Sequence, residues 1–257
     1  MTAAAASDRP TVRIGVFLPS GAQLLDTACV DLFDMMSHEY LSALEKLPRA
    51  AADIAPHVWI AYVGTVAAGG PIQLTGGMSV TCTHHLSDPE VGAGRLDVVL
   101  VPGPDPRLRW DGEVLGWLRG HANRVRDTDI LSVCTGIYIC GEAGLLRGRR
   151  ACGPRGLQKE IGERFEGVTL LGDELRWVSD GNLWSSGGVT NGNDLVAAYA
   201  RESRHFPGPL VDIATKLADA GERPQKYGAS QTGFRIGFAW ALLRAWFMGF
   251  GRKSKSN

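Results

Sequence analysis

The chain has 257 residues, with 27 Lys+Arg against 27 Asp+Glu and a formal charge of zero. Hydrophobic residues make up 44% and charged residues 21%, which excludes bulk disorder and allows a core of ordinary size. The neutral balance offers no general attraction to a phosphate backbone and argues against a dedicated nucleic-acid binder.

Residues 1–11 are small and polar and are expected to be disordered. The opening MTAAAASDRP has neither the basic nor the apolar region of a secretory signal, so a cytoplasmic setting with reduced thiols is expected. Residues 12–18 (VRIGVFL) form a β-branched apolar run ended by Pro19 and Gly21, read as a buried first strand. Helical spacing follows from Leu24 to about Leu47. Residues 57–63 are a second strand, and 72–74 with 78–81, joined by Thr75, Gly76 and Gly77, read as a hairpin. Residues 96–101 (LDVVLV) are another buried run, stopped by Pro102, Gly103 and Pro104, with a helix expected over about 112–126.

A strand at 129–133 (DILSV) runs straight into Cys134, Thr135 and Gly136, and a helix continues to about Leu146. A short strand at 149–152 precedes a helix over about 154–164. A hairpin is expected around Asp180 and Gly181, then helices at about 191–204 and 209–220. Continuously apolar strands alternating with helices predict an α/β fold, with a mostly parallel sheet covered on both faces. Residues 12–220 are read as one domain and 221–257 as a linker followed by an apolar, basic C-terminal tail with an extra helix.

The five Cys stand at 29, 82, 134, 140 and 152, an odd and widely spaced set that makes a poor disulfide framework. There is no CxxC pair, and the adjacent His84 and His85 lack a partner carboxylate at helical spacing, so no metal site is expected. Cys134 differs from the other four. It closes a buried strand and opens a helix, where ligand sites of open α/β sheets form. A helix N-terminus lowers a thiol pKa and favours the nucleophilic thiolate. The plain alternative is a small Cys filling the junction between sheet and helix. Cys140, six residues on along the same helix, is expected in the core.

VCTG after an apolar strand resembles the nucleophile elbow of the ThiJ/PfpI superfamily, whose fold is flavodoxin-like and related to class I glutamine amidotransferases. Other pieces agree in order: QLLD at 23–26, VPG at 101–103, AGLLRGRRA at 143–151 and DGNLWSSGGVTNG at 180–192. Within the superfamily the sequence is most similar to the isonitrile hydratase-like branch, through Asp26 in its QLLD context and Thr135 directly after Cys134. The resemblance implies a cofactor-independent hydratase, a small electrophilic substrate and a homodimer. It implies Cys134 as nucleophile, Asp26 as the carboxyl that donates a proton beside the sulfur, and Thr135 as a hydrogen-bonding partner of substrate or carboxyl. Gly103 and Gly136 would serve the oxyanion or substrate site. Taken alone, Asp26 is equally a helix N-cap and Gly103 a turn glycine. A glyoxalase-like lyase and a cysteine redox sensor are the alternatives.

Two positions depart from the pattern. The stretch after the elbow helix is Ala151, Cys152, Gly153, Pro154 and Arg155, without the His of many relatives, which argues against a Cys–His hydrolytic dyad. Pro104 replaces a second Gly in the loop after the third long strand and has no N–H to donate. Gly187 and Gly188 are read as a packing turn closing against the active site. Residues 234–250 are aromatic and apolar but carry Arg235 and Arg244. A weak membrane-surface contact through 234–253 stands against a helix packed on the core or on a dimer mate.

Overall fold

The continuously apolar runs become strands buried on both faces. In the computed structural model, which describes residues 9–123, 128–228 and 230–253, the strands are β1 (Thr11–Phe17), β2 (His57–Gly64), β3 (Pro71–Gln73), β4 (Ser79–Thr81), β5 (His84–His85), β6 (Val98–Val101), β7 (Asp129–Val133), β8 (Arg150–Ala151), β9 (Thr169–Leu170), β10 (Trp177–Asp180) and β11 (Leu183–Ser186). The helices are α1 (Leu24–Thr27), α2 (Val30–Asp34), α3 (His38–Ala43), α4 (Arg49–Asp53), α5 (Gly112–Ala122), α6 (Gly136–Glu142), α7 (Gln158–Arg164), α8 (Asn191–Glu202), α9 (Gly208–Ala218) and α10 (Gln231–Lys253).

Seven strands form one sheet in the order β10-β11-β7-β6-β1-β2-β5. Its pairings are parallel except β10 on β11, which meet antiparallel at the edge through the Asp180–Gly181 turn. The all-apolar β6 is buried at every position, as a central parallel strand requires. One core, with Ile14, Val16, Leu100 and Val133, packs under α2, α8 and α9. The other, with Val99, Val101, Ile130 and Leu118, packs under α5, α6 and α7. The expected α/β architecture, with its hairpin excursion β3–β4, is the fold observed.

Some boundaries differ from the sequence reading. The single helix expected over 24–47 is broken into α1, α2 and α3, with α4 beyond it. Ser37 takes an extended backbone and its hydroxyl accepts the Tyr40 N–H at 3.0 Å, so it caps a new helix where the periodicity alone suggested continuation. The first strand starts at Thr11, one residue before the expected bound, and 1–8 lie outside the described residues. The helix at 112–126 stops at Ala122; 124–127 are likewise outside the description.

Residues 221–228 have the composition of a linker but are tied to the domain. Arg176 N donates to Gln225 O at 2.7 Å, and Tyr227 N to Glu174 O at 2.9 Å. The Tyr227 ring lies between the guanidinium groups of Arg155 and Arg176, 4.2 and 4.6 Å from its centroid, and its hydroxyl accepts from Asn191 Nδ2 at 2.7 Å. Arg223 pairs at 2.6 Å with the buried Asp194. Tyr227→Ala is therefore expected to cost about 1–3 kcal/mol, from two cation–π contacts and one hydrogen bond. Truncation after Gly228 should shift the melting temperature by only about 2–4 °C. Calorimetry on both variants checks the contrast.

Candidate active site

The chain leaves β1 for β2 on one side and returns to β6 on the other, so the loops after β1 and β6 diverge. This is the switch point at which open α/β sheets form clefts. The cleft here has a volume of about 410 Å³. It is built from the β1 loop (Ala22, Gln23), the hairpin turn (Thr75), the β6 loop (Gly103, Pro104) and the end of β7 (Cys134).

Cys134 has φ = 55°. A non-glycine residue in the left-handed region is strained, and such strain concentrates at functional positions. The Cys134 N–H donates to Ser186 O at 3.1 Å, which locks the elbow to the neighbouring strand. Among the five cysteines, Cys134 alone is partly exposed; Cys29, Cys82, Cys140 and Cys152 are buried.

Asp26 is fully buried. Its Oδ2 accepts the Gly103 N–H at 3.0 Å, and its Oδ1 is buried without a hydrogen-bond partner. The sequence-derived pair is thus brought close, near enough for carboxyl and thiol each to alter the other's proton affinity. Burial pushes the Asp26 carboxyl up to about 7, against the opposing pull of the Gly103 N–H and the Cys134 thiol. Burial and then the Asp26 charge push the Cys134 thiol up to about 12, although Thr135 lowers it. The helix N-terminus alone predicts the reverse. The short α6 gives a weak counterweight, and removal of water beside a carboxylate outweighs it. The resting site holds a protonated sulfur beside a carboxyl that titrates near neutrality.

The remaining expected residues take parts that differ from those the resemblance implies. The Thr135 hydroxyl donates to Pro104 O at 2.7 Å, so it holds the β6 loop instead of the carboxyl. The Gly103 N–H serves Asp26 and is already engaged. A Cβ on Gly103 would sit 2.4 Å from Thr135 Oγ1 and 2.5 Å from Asp26 Oδ2, which explains a glycine there. Gly103→Ala is expected to preserve the fold and lower turnover at least about 100-fold by displacing Asp26, read as kcat/KM beside a circular dichroism spectrum. Gly136 is a spacer: its Cβ would lie 2.2 Å from Val101 O. Gly187 packs on Gly153 and Tyr227, and neither it nor Gly188 lines the cleft.

Sequence reasoning missed the hairpin's contribution. Thr75 Oγ1 accepts the Leu24 N–H at 2.9 Å, and Thr75 N donates to Ala22 O at 3.1 Å. Gly21 has φ = 83°, and a Cβ there would lie 2.4 Å from Gln73 O, so β1 loop and hairpin are in contact. Ser20, also at the cleft, accepts from Trp110 Nε1 at 3.2 Å. The Gly-rich turn was legible, but where it docks was not.

A parallel sheet with a strained cysteine at the end of a central strand, facing a buried acid from the first loop, defines an α/β protein of the nucleophile-elbow type. Comparison with known proteins specifies the family: the model of the DJ-1/PfpI family matches residues 28–202, and the chain belongs to that family. Asp26 lies two positions ahead of the matched range. The chain is 34% identical over 134 residues to isonitrile hydratase from Pseudomonas putida. That match covers 51% of this chain and 54% of that protein, so the chain spans about half the length of this relative. A ThiJ/PfpI family protein from Pseudomonas syringae has a similar structure, with TM-score 0.64 and 20% identity, covering 93% of this chain and 87% of the other. An AraC family transcriptional regulator from Pseudomonas putida also does, with TM-score 0.61 and 13% identity, covering 80% of this chain and 99% of the other. At these identities the likeness of the two structures is one of fold.

Proposed function

We propose that the protein is a cofactor-independent hydratase that adds water to an isocyanide. The observation that carries this reading is a strained Cys134 lining the cleft, with a buried Asp26 near it whose carboxyl titrates near neutrality. The partial match to isonitrile hydratase supports the substrate class. The Cys134 sulfur attacks the terminal carbon of R–N≡C while its proton passes to Asp26. Asp26 then delivers a proton to that carbon, giving a thioimidate. Water adds to the thioimidate carbon with Asp26 as base, and one proton of the water is passed to the nitrogen. The C–S bond then breaks, and the sulfur leaves with the other proton of the water. The products are the N-formamide R–NH–CHO and the restored thiol. Beside Cys134 the cleft offers the polar side chains of Gln23 and Thr75 and the apolar surfaces of Ala22 and Pro104 to a small substrate. A buried site tolerates the first step because the proton moves from sulfur to carboxylate with the site's charge unchanged at minus one, so no further charge has to be created away from water.

The homodimer that the resemblance implies, and the cytoplasmic setting expected separately, belong to the same proposal. No helix among the described residues is long and apolar enough to cross a membrane. Incubation with an aliphatic isocyanide and, separately, with methylglyoxal tests the assignment. Formamide release with a Cys134 dependence is the expected result. Loss of methylglyoxal alone would transfer the site to a lyase. Inertness toward both, with ready oxidation of Cys134 to the sulfinate, would make it a redox sensor.

A further inference from the structure

Away from the cleft, helix α10 stands apart. Its first turn is tied down: Arg155 Nε donates to Gln231 Oε1 at 3.1 Å, Gln231 Nε2 donates to Arg155 O at 3.0 Å, and Arg155 lies over the Phe234 ring. Beyond that anchor the apolar side chains face solvent. Ile236, Phe238, Trp240, Trp246, Phe247 and Met248 are each more than half exposed. At helical spacing they fall around the helix, interrupted over 234–248 only by Arg235 and Arg244 as charged side chains, so little of its surface suits water alone. A contiguous apolar surface of this kind marks an interaction site.

The charge pattern selects the partner. Residues 229–257 contain Arg235, Arg244, Arg252, Lys253 and Lys255 and no Asp or Glu. A second copy of α10 is a poor occupant. The small residues Gly233, Gly237, Ala241 and Ala245 recur every four positions and would allow close approach. In either orientation, however, two such helices set arginines against a strand of chain with no acid to answer them. Crossing a bilayer is disfavoured: Arg244 stands in the middle of the helix, where a charge is costly, and the helix is not apolar enough to span. An anionic headgroup layer answers the cations and accepts the aromatic side chains, since Trp settles at the boundary between headgroups and acyl chains.

We propose that α10 docks the protein on an anionic lipid membrane, lying along the headgroup boundary while Arg155 and Gln231 hold the catalytic domain against it. The cleft residues lie outside α10, so this docking is independent of the chemistry at Cys134.

The test is sedimentation of the full-length protein with phosphatidylcholine vesicles, with and without phosphatidylserine. The expected result is binding at least about tenfold stronger to the phosphatidylserine vesicles, since each cation near an anionic surface contributes about fivefold. The binding should weaken as salt is raised. Arg235→Glu with Arg244→Glu should remove most of it, and Phe238→Ser with Phe247→Ser should weaken it on both vesicle types. All four substitutions should leave the melting temperature and the cleft chemistry unchanged. Absence of vesicle binding, or equal binding with and without phosphatidylserine, would overturn the proposal. So would concentration-dependent self-association that Phe238→Ser with Phe247→Ser abolishes, which would assign the helix to a second copy of the chain.

Discussion

Replacing Cys134 by Ser or Ala is expected to bring isocyanide turnover to the background rate, while Cys140→Ala and Cys152→Ala keep most of it. The reason is positional. Cys140 and Cys152 are fully buried, and burial pushes both thiols up to about 12. Cys134 has a similarly raised thiol but combines three properties: partial exposure, a left-handed backbone that turns its side chain out of the strand, and a carboxyl able to take its proton. Ser keeps the shape but not the nucleophilicity of sulfur, so Cys134→Ser separates covalent catalysis from substrate binding. The measurement is initial rate against isocyanide concentration for all four variants, with a mass spectrum of the wild-type adduct. Wild-type rates in the Cys134 variants would end the covalent reading.

Asp26→Asn is expected to lower kcat/KM by about 10²–10⁴-fold, the usual contribution of a positioned proton-transfer group. An Asn can still accept the Gly103 N–H, so the loss reports proton transfer more than geometry. The pH profile gives a second readout. Asp26 must be ionised to take the thiol proton, and its carboxyl titrates near 7. The wild-type rate should therefore rise through about pH 7, and that limb should vanish from the Asp26→Asn profile. Stability runs the other way. The folded pKa lies above the ordinary value of 3.8, so the native state binds this proton more tightly than the unfolded chain. The associated penalty is absent below about pH 4, grows between about 4 and 7, and is constant above. Asp26→Asn should thus match the wild type in melting temperature at acid pH and exceed it at pH 8. An unchanged stability difference between those pH values would show that Asp26 is not titrating as described.

The two variants bear on how much of the site the sequence displayed. Cys134 was legible because its signal is local. An apolar strand, a cysteine and an immediate helix start are contiguous, and the backbone turn that exposes the sulfur follows from that adjacency. Asp26 was legible only through the QLLD context, since taken alone it is also a helix cap. In the structure its carboxyl caps no helix and instead receives the Gly103 N–H from a loop 77 residues away in sequence. Thr135 and Gly103 were named, but their hydrogen bonds were not. Each is made to a loop whose position depends on the packing of β1, β6 and β7 side by side.

The sequence by itself determined the central strands β1, β6 and β7, because a strand buried on both faces must be continuously apolar, whereas the edge strand β5 at His84–His85 carries no such run. It likewise determined the break after β6 at Pro102, and the elbow. These are properties of neighbouring residues. The tertiary structure decided what long-range contact controls. It broke the 24–47 segment at Ser37, because one hydroxyl hydrogen bond outweighed a continuous helical pattern. It brought Thr75 to the cleft by seating the hairpin on the β1 loop. It strapped 221–228 to the domain through Tyr227, although their composition is that of a linker. It also raised the Cys134 thiol, because the proton affinity of a group is set by how much water and charge surround it, and neither is known until the chain has folded.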